Sequence, residues 1–198
     1  MDALFNWGVS LGSLERHEEA IEKFQKTIEL DPQSADAYFY WGVSLGSLGS
    51  HEEAIEKYRK VIEMNANDPG AYNNLGWSLR KLGLQQEALE KYQKAVKLAS
   101  QDANILGDSG WQYYLLNDYE QSIECSRIAL AIKPDEIWIQ CNLALVFLHR
   151  GRLDEAGQEY KKAIELTTKS NDTLEFERNA MGDLEDALEQ NPKLPGGN

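Results

Sequence analysis

Cysteine is nearly absent from this chain. Two residues, Cys125 and Cys141, among 198 exclude a disulfide framework and fit a reducing compartment, so the cytoplasm is the expected location. Long apolar runs are missing as well. No stretch approaches the roughly eighteen apolar residues of a membrane-spanning helix, and no membrane insertion is expected. The opening "MDALFNWGVS" carries no basic run ahead of an apolar core and does not read as a signal peptide. Positive charge is scarce. Twenty Lys and Arg face thirty-three Asp and Glu, a net charge of −13, which argues against nucleic-acid binding because that requires a basic surface to displace counterions. It also disfavours anionic membranes and suits a basic or apolar partner, the plainer reading being a solvated acidic exterior.

The residues of common catalytic and metal sites are sparse too. The histidines are His17, His51 and His149. "HEEAI" lacks the second histidine of a HExxH zinc motif, the cysteines form no CxxC pair, and no glycine-rich phosphate loop follows a strand. The many carboxylates fall on helix exteriors, where solvated charge is the default. No enzyme activity, cofactor or metal is therefore expected.

What the sequence has instead is repetition. "FNWGVSLGSL" (5–14) returns as "FYWGVSLGSL" (39–48), and both are soon followed by "HEEAIEK". Blocks of 34 residues, 1–34, 35–68, 69–102, 103–136 and 137–170, fit without insertion, and the first two share 21 of 34 residues. Block position eight reads Gly8, Gly42, Gly76, Gly110, Ala144; position twenty reads Ala20, Ala54, Ala88, Ser122, Ala156; position twenty-four reads Phe24, Tyr58, Tyr92, Ser126, Tyr160. Each block divides into two helical patterns. Ala20, Ile21, Phe24, Thr27 and Ile28 form one apolar stripe of a 3.6-period helix, and Leu4, Trp7, Gly8 and Leu11 form another. Breaks such as "LGSH", "LNDY" and "DPQS" separate them. The small residues at eight and twenty let paired helices approach closely. The serines of the fourth block predict a looser pair there.

This pattern, with Gly at eight and fifteen, Ala at twenty and twenty-seven, an aromatic at twenty-four and Pro at thirty-two in blocks one and four, resembles the tetratricopeptide repeat. The resemblance implies an all-α right-handed solenoid of five repeats over 1–170. After it, Leu174, Met181, Leu184 and Leu188 line one face of an expected capping helix over 171–190, followed by a flexible tail, 191–198. No matching cap precedes the first block, which leaves open a natural start or a fragment of something longer.

The resemblance also implies that the first helix of each pair lines a concave groove, through positions two, five, six, nine, twelve and thirteen. Those positions hold Phe5, Val9, Phe39, Val43, Asn73, Trp77, Arg80, Lys81, Trp111, Tyr114, Trp138, Asn142 and Leu145. Aromatic side chains anchor interfaces, and an apolar strip rimmed by polar groups marks a binding groove. Arg80 and Lys81 make a basic spot suited to a carboxylate, and the asparagines suit peptide backbone. The alternative is that some position-five and position-nine residues, Phe5 and Phe39 above all, are partly core. One subfamily clamps the acidic tails of heat-shock chaperones with Lys and Asn at positions where this chain has Phe5 and Val9, so that clamp is absent. His17 and His51 stand where the family usually has an aromatic and read as packing residues. The expected function is a protein-interaction scaffold or adaptor that holds a peptide or helical segment of a protein partner. The alternatives are a self-assembling scaffold, hence a homo-oligomer, and a regulatory piece of a larger protein.

Overall fold

The computed structural model describes residues 2–99 and 101–169, and among them the chain is ten α-helices with no strand. They are α1 (Asp2–Ser13), α2 (His17–Leu30), α3 (Ala35–Ser47), α4 (His51–Met64), α5 (Pro69–Lys81), α6 (Gln85–Leu98), α7 (Ala103–Leu115), α8 (Tyr119–Ile132), α9 (Ile137–His149) and α10 (Leu153–Lys169). The starts of α3, α5, α7 and α9 are 34 residues apart. The expected capping helix and tail lie outside the described residues. The helices group into two compact units that divide between Leu98 and Ala99.

Four helix starts follow side-chain chemistry. Ser34, Asp68, Asp102 and Asp118 accept hydrogen bonds from backbone N–H groups of the first turns of α3, α5, α7 and α8, at 2.8 Å for Asp68 and Ala71. Each cap satisfies a donor that the helix itself leaves unpaired. Pro69 begins α5, where its missing N–H costs nothing. The turn inside every pair puts block position fifteen in the left-handed region: Glu15 at φ 59°, Gly49 at 80°, Gly83 at 79°, Asn117 at 61° and Gly151 at 68°. Glycine and asparagine accept this conformation readily, whereas a glutamate is strained there.

In the first unit, α1 to α6, the core is a small residue set against a ring. A Cβ added at Gly8 would stand 2.6 Å from the Phe24 ring, and at Gly42 and Gly76 it would stand 2.7 Å from the rings of Tyr58 and Tyr92. Phe24, Tyr58 and Tyr92 are buried, as are Ala20, Ala54 and Ala88. The first helices touch directly, α1 on α3 and α3 on α5, and α2 and α4 pack on the following pairs. The first helices therefore form an inner layer and the second helices an outer one.

In the second unit, α7 to α10, the arrangement changes. Ser122 and Ser126 replace alanine and the ring, and both are buried. The looser contact expected from these serines is not what forms. A Cβ on Gly110 would meet the Ser126 Oγ at 3.0 Å and the Ser122 carbonyl oxygen at 3.3 Å, so α8 closes directly onto α7 and no gap is left where the ring would be. Ile123, Leu143, Val146, Phe147 and Ala156 make the unit's core, with Arg152 and Arg127 over the Phe147 ring at 4.6 and 5.5 Å. α9 is apolar almost all round, and Ile137, Ile139, Cys141, Leu143, Ala144, Val146 and Phe147 are all buried, as befits a helix flanked on several sides.

Two substitutions test this packing, each read by urea denaturation. Gly42→Ala should destabilise by about 1–3 kcal/mol, because the methyl would collide with the immobile Tyr58 ring. Glu15→Gly should stabilise by roughly 1 kcal/mol by relieving the left-handed backbone. A neutral Gly42→Ala or a destabilising Glu15→Gly would refute these assignments.

Candidate functional site

The residues expected to line a groove divide between the inner layers of the two units. In the first unit, Phe5 is half-buried against Phe24 and Tyr40, at ring distances of 6.2 and 5.6 Å. Phe39 is half-buried in edge-on contact with Tyr40 and Tyr58. Both rings are thus partly core and partly open to solvent. Val9 and Val43 are half-buried, Val9 against the cluster of Leu11, Ala20 and Phe24. Asn73 is only 8 % exposed and Asn142, in the second unit, 6 %, so the atoms either can offer a ligand are few. Trp77 is half-buried, laid over the backbone of Gly46, where a Cβ would come within 2.8 Å of its ring. Arg80 is half-buried and Lys81 exposed.

Around Trp77 the first unit holds a depression of about 680 Å³, lined among others by Glu15, His17, Gly46, His51 and Lys81. His51 stands edge-on to the Trp77 ring at 5.0 Å, and the Lys81 ammonium lies 5.7 Å from that ring's centre. The inner nitrogens Nδ1 of His17 and His51 are both buried without a hydrogen-bond partner. Burial, then the nearby Lys81 charge, holds the His51 imidazole below its ordinary value, with Glu52 acting in the opposite direction. Packing is part of what these histidines do, as expected, but the pocket they line was not foreseen. The available signal was the recurrence of histidine 34 residues apart where an aromatic is usual.

In the second unit, Trp111 and Tyr114 stack at 4.9 Å, and Tyr114 extends to the His149 ring at 5.4 Å. His149 Nδ1 lies 3.1 Å from the Leu145 carbonyl oxygen and 3.3 Å from the Tyr114 hydroxyl. Since a carbonyl only accepts, Nδ1 carries the proton. Trp138 lies over Gly107 and donates from Nε1 to a Glu136 carboxylate oxygen at 3.1 Å. Leu145 is half-buried. On the same inner layer Asp108 is reached by water, yet the protein mass around it, and secondarily the charge of Asp102, raises its carboxyl from 3.8 to about 6. Both cysteines are buried and free, and burial pushes the Cys125 thiol up to about 12, far from a reactive thiolate. Among the described residues, no group of three or more His, Cys, Asp or Glu could hold a metal, and no helix is long and apolar enough to cross a membrane.

Family models described as TPR repeat match residues 10–49 and 42–83, and models described as tetratricopeptide repeat match 69–102 and 108–171. No curated protein matches the chain in sequence. Among solved structures, MamA is 25% identical with a TM-score of 0.68, over 82% of this chain and 95% of its own. TTC0263, a thermophilic TPR protein in Thermus thermophilus, is 24% identical with a TM-score of 0.74, over 94% and 98%. YrrB, described as a TPR protein with an unusual peptide-binding site, is 20% identical with a TM-score of 0.63, over 90% of each chain. At those identities the last two speak to the fold alone.

The raised carboxyl makes Asp108 a costly residue with a definite pH signature. A carboxyl whose native value exceeds its unfolded one binds its proton more tightly in the native state, so native stability falls as pH climbs from about 4 to about 6. Asp108→Asn should therefore stabilise the protein at pH 7 and do so less, or not at all, below pH 4, as read from urea unfolding at the two pH values. An equal effect at both would show that the charge is not the cause.

Proposed function

Since the chain belongs to the tetratricopeptide-repeat family, we propose that it is a non-enzymatic interaction scaffold or adaptor, holding an extended or helical segment of a protein partner against its inner helices. One observation carries this reading: half-buried aromatic side chains recur along the inner layer of each unit, Phe5, Phe39 and Trp77 in the first and Trp111, Tyr114 and Trp138 in the second. A face meant only for water has no use for rings that present an edge on every helix. Rings with one side fixed by packing offer large contact area at small entropic cost, which is what interface anchors need. A peptide-binding use of this architecture is the one YrrB is described by.

Protein partners captured by the intact chain should be lost by the Trp77→Ala/Trp111→Ala double variant, compared at matched helix content by circular dichroism. Trp77 also rests on Gly46 and His51, so Trp77→Ala is expected to lower the unfolding midpoint without unfolding the chain. Full retention of the partner by a folded variant would move the site away from the inner helices.

A second reading is favoured by a single contrast. Trp41 packs against the cluster of Leu11, Ala20 and Phe24 in the preceding pair, whereas Trp7, its counterpart 34 residues earlier, is 56 % exposed; each ring carries a lysine over it, Lys57 at 4.4 Å and Lys23 at 4.5 Å. In self-assembly another copy would cover Trp7. Light scattering on the intact chain and on Trp7→Glu should then show an oligomer that dissociates in the variant. A monomer at high concentration would dismiss this reading.

A further inference from the structure

We propose that the depression floored by Gly46 and Trp77 and edged by His17, His51 and Lys81 is a carboxylate site, taking the acidic side chain of an Asp or Glu in a bound protein segment. The inference rests on the scaffold reading and gives it a chemical preference. The groups around the depression are unbalanced. Its basic side chains are His17, His51 and Lys81, and Glu15 is its one acidic side chain; the Ser47 hydroxyl, also in the lining, already donates to the Val43 carbonyl oxygen. Lys81 forms no ion pair among the described residues; its recorded contact is with the Trp77 ring, which steadies the ammonium without neutralising it. By contrast, Arg16 beside the same turn is already held by Glu19 at 2.6 Å and is not available.

The histidines point the same way. Their Nδ1 atoms are buried without a partner. A buried N–H left unpaired costs more than a buried lone pair, so the proton of each neutral ring belongs on Nε2. With Nδ1 shut away, the edge left for a ligand is the one carrying that donor. The charged groups near His51 are Lys81, which with burial keeps the ring neutral, and Glu52, which opposes it; Glu15 lies across the pocket. The site thus offers one full positive charge, on Lys81, and the two imidazole edges as donors. That complement fits a monoanion. A dianionic phosphate would call for a guanidinium fork, and none faces the pocket.

Gly46 is what gives the site its floor. A side chain there would strike the Trp77 ring at 2.8 Å and lift it into the space. The depression is wide and draws on three successive helix pairs, so a chain running along the inner layer can lower one acidic side chain into it and continue on either side. A site of this sign in a protein of net charge −13 selects by local contact, because the long-range field repels acidic ligands in general.

The test follows the imidazole resonances of the intact chain by NMR, with His149 as internal reference. The probe is a five-residue peptide, acetylated and amidated, with one central glutamate among alanines, set against its glutamine counterpart. The glutamate peptide should shift His17 and His51 saturably and bind at least about tenfold more weakly to Lys81→Gln. Rescue by Lys81→Arg would show that charge is what matters. The proposal is overturned if both peptides act alike, if neither shifts the rings saturably, or if only a glutamine peptide with a free C-terminal carboxylate does so, which would assign the site to chain ends. Because the readout is the rings and the probe is short, failure here leaves the tryptophan test of the scaffold standing. Failure of that test with a positive result here would leave a carboxylate site without the scaffold role.

Discussion

The first unit depends on one contact repeated three times: a glycine on the first helix of a pair laid flat against an aromatic ring on the second. Gly8 with Phe24, Gly42 with Tyr58 and Gly76 with Tyr92 each leave less room than a methyl group needs. The ring is large and buried, so it contributes most of the apolar area hidden within a pair. The glycine costs on the order of 1 kcal/mol of helix propensity, and the ring contact more than offsets it. Because the helices meet backbone to ring, their spacing is set, and with it the spacing of the inner layer on which Phe39 and Trp77 stand.

The second unit meets the same requirement by other means. With Ser126 in place of the ring, α8 approaches α7 until serine and carbonyl oxygens lie where a methyl would be. The large side chains move elsewhere: Tyr113 is fully buried on the first helix of the pair, and α9 is apolar on nearly every side. The polar residues on α9 are accommodated individually. Gln140 donates to the Glu159 carboxylate, which is also held by Lys162. Burial of a polar amide is tolerable when its donors are used, and here the outer helix supplies the acceptor.

Most of this architecture could be read from the sequence because it rests on short-range rules written at a fixed period. Apolar stripes place the helices, Ser34, Asp68, Asp102 and Asp118 cap four of them, and position fifteen turns every pair through a left-handed residue whether it is Gly49, Asn117 or Glu15. The response to Ser122 and Ser126 was not legible, because the distance between two helices is a collective outcome of all the side chains between them. The inner-layer aromatics were legible as positions, but their exposure was not. Phe5 and Phe39 divide their surfaces between neighbours and solvent, and Asn73 and Asn142 are covered, since the packing of one pair on the next decides what a given position shows to water. The depression around Trp77 was hidden for the same reason. Its residues come from three successive pairs, and the recurrence of His17 and His51 marks only two of them.

The charge of the chain acquires a sharper meaning once side chains are placed. Among the described residues, many acidic side chains lie exposed on the outer helices, and ion pairs such as Arg16 with Glu19 and Lys60 with Glu63 are exposed at both ends. Such pairs contribute little stability, on the order of 0–1 kcal/mol each. Their effect is a diffuse negative field that screens away within about 10 Å at moderate salt. The inner layer answers to different physics. There, Asp108 feels enough surrounding protein to hold its proton well above the usual carboxylate range, and Lys81, with burial, holds the imidazole of His51 at the start of α4 below its ordinary value. In the proposed scaffold, selectivity for a partner therefore arises within contact distance of the inner helices. An outer surface of one sign can slow or hasten an approach, but it carries no register, whereas rings and donors fixed to helices at a 34-residue period do.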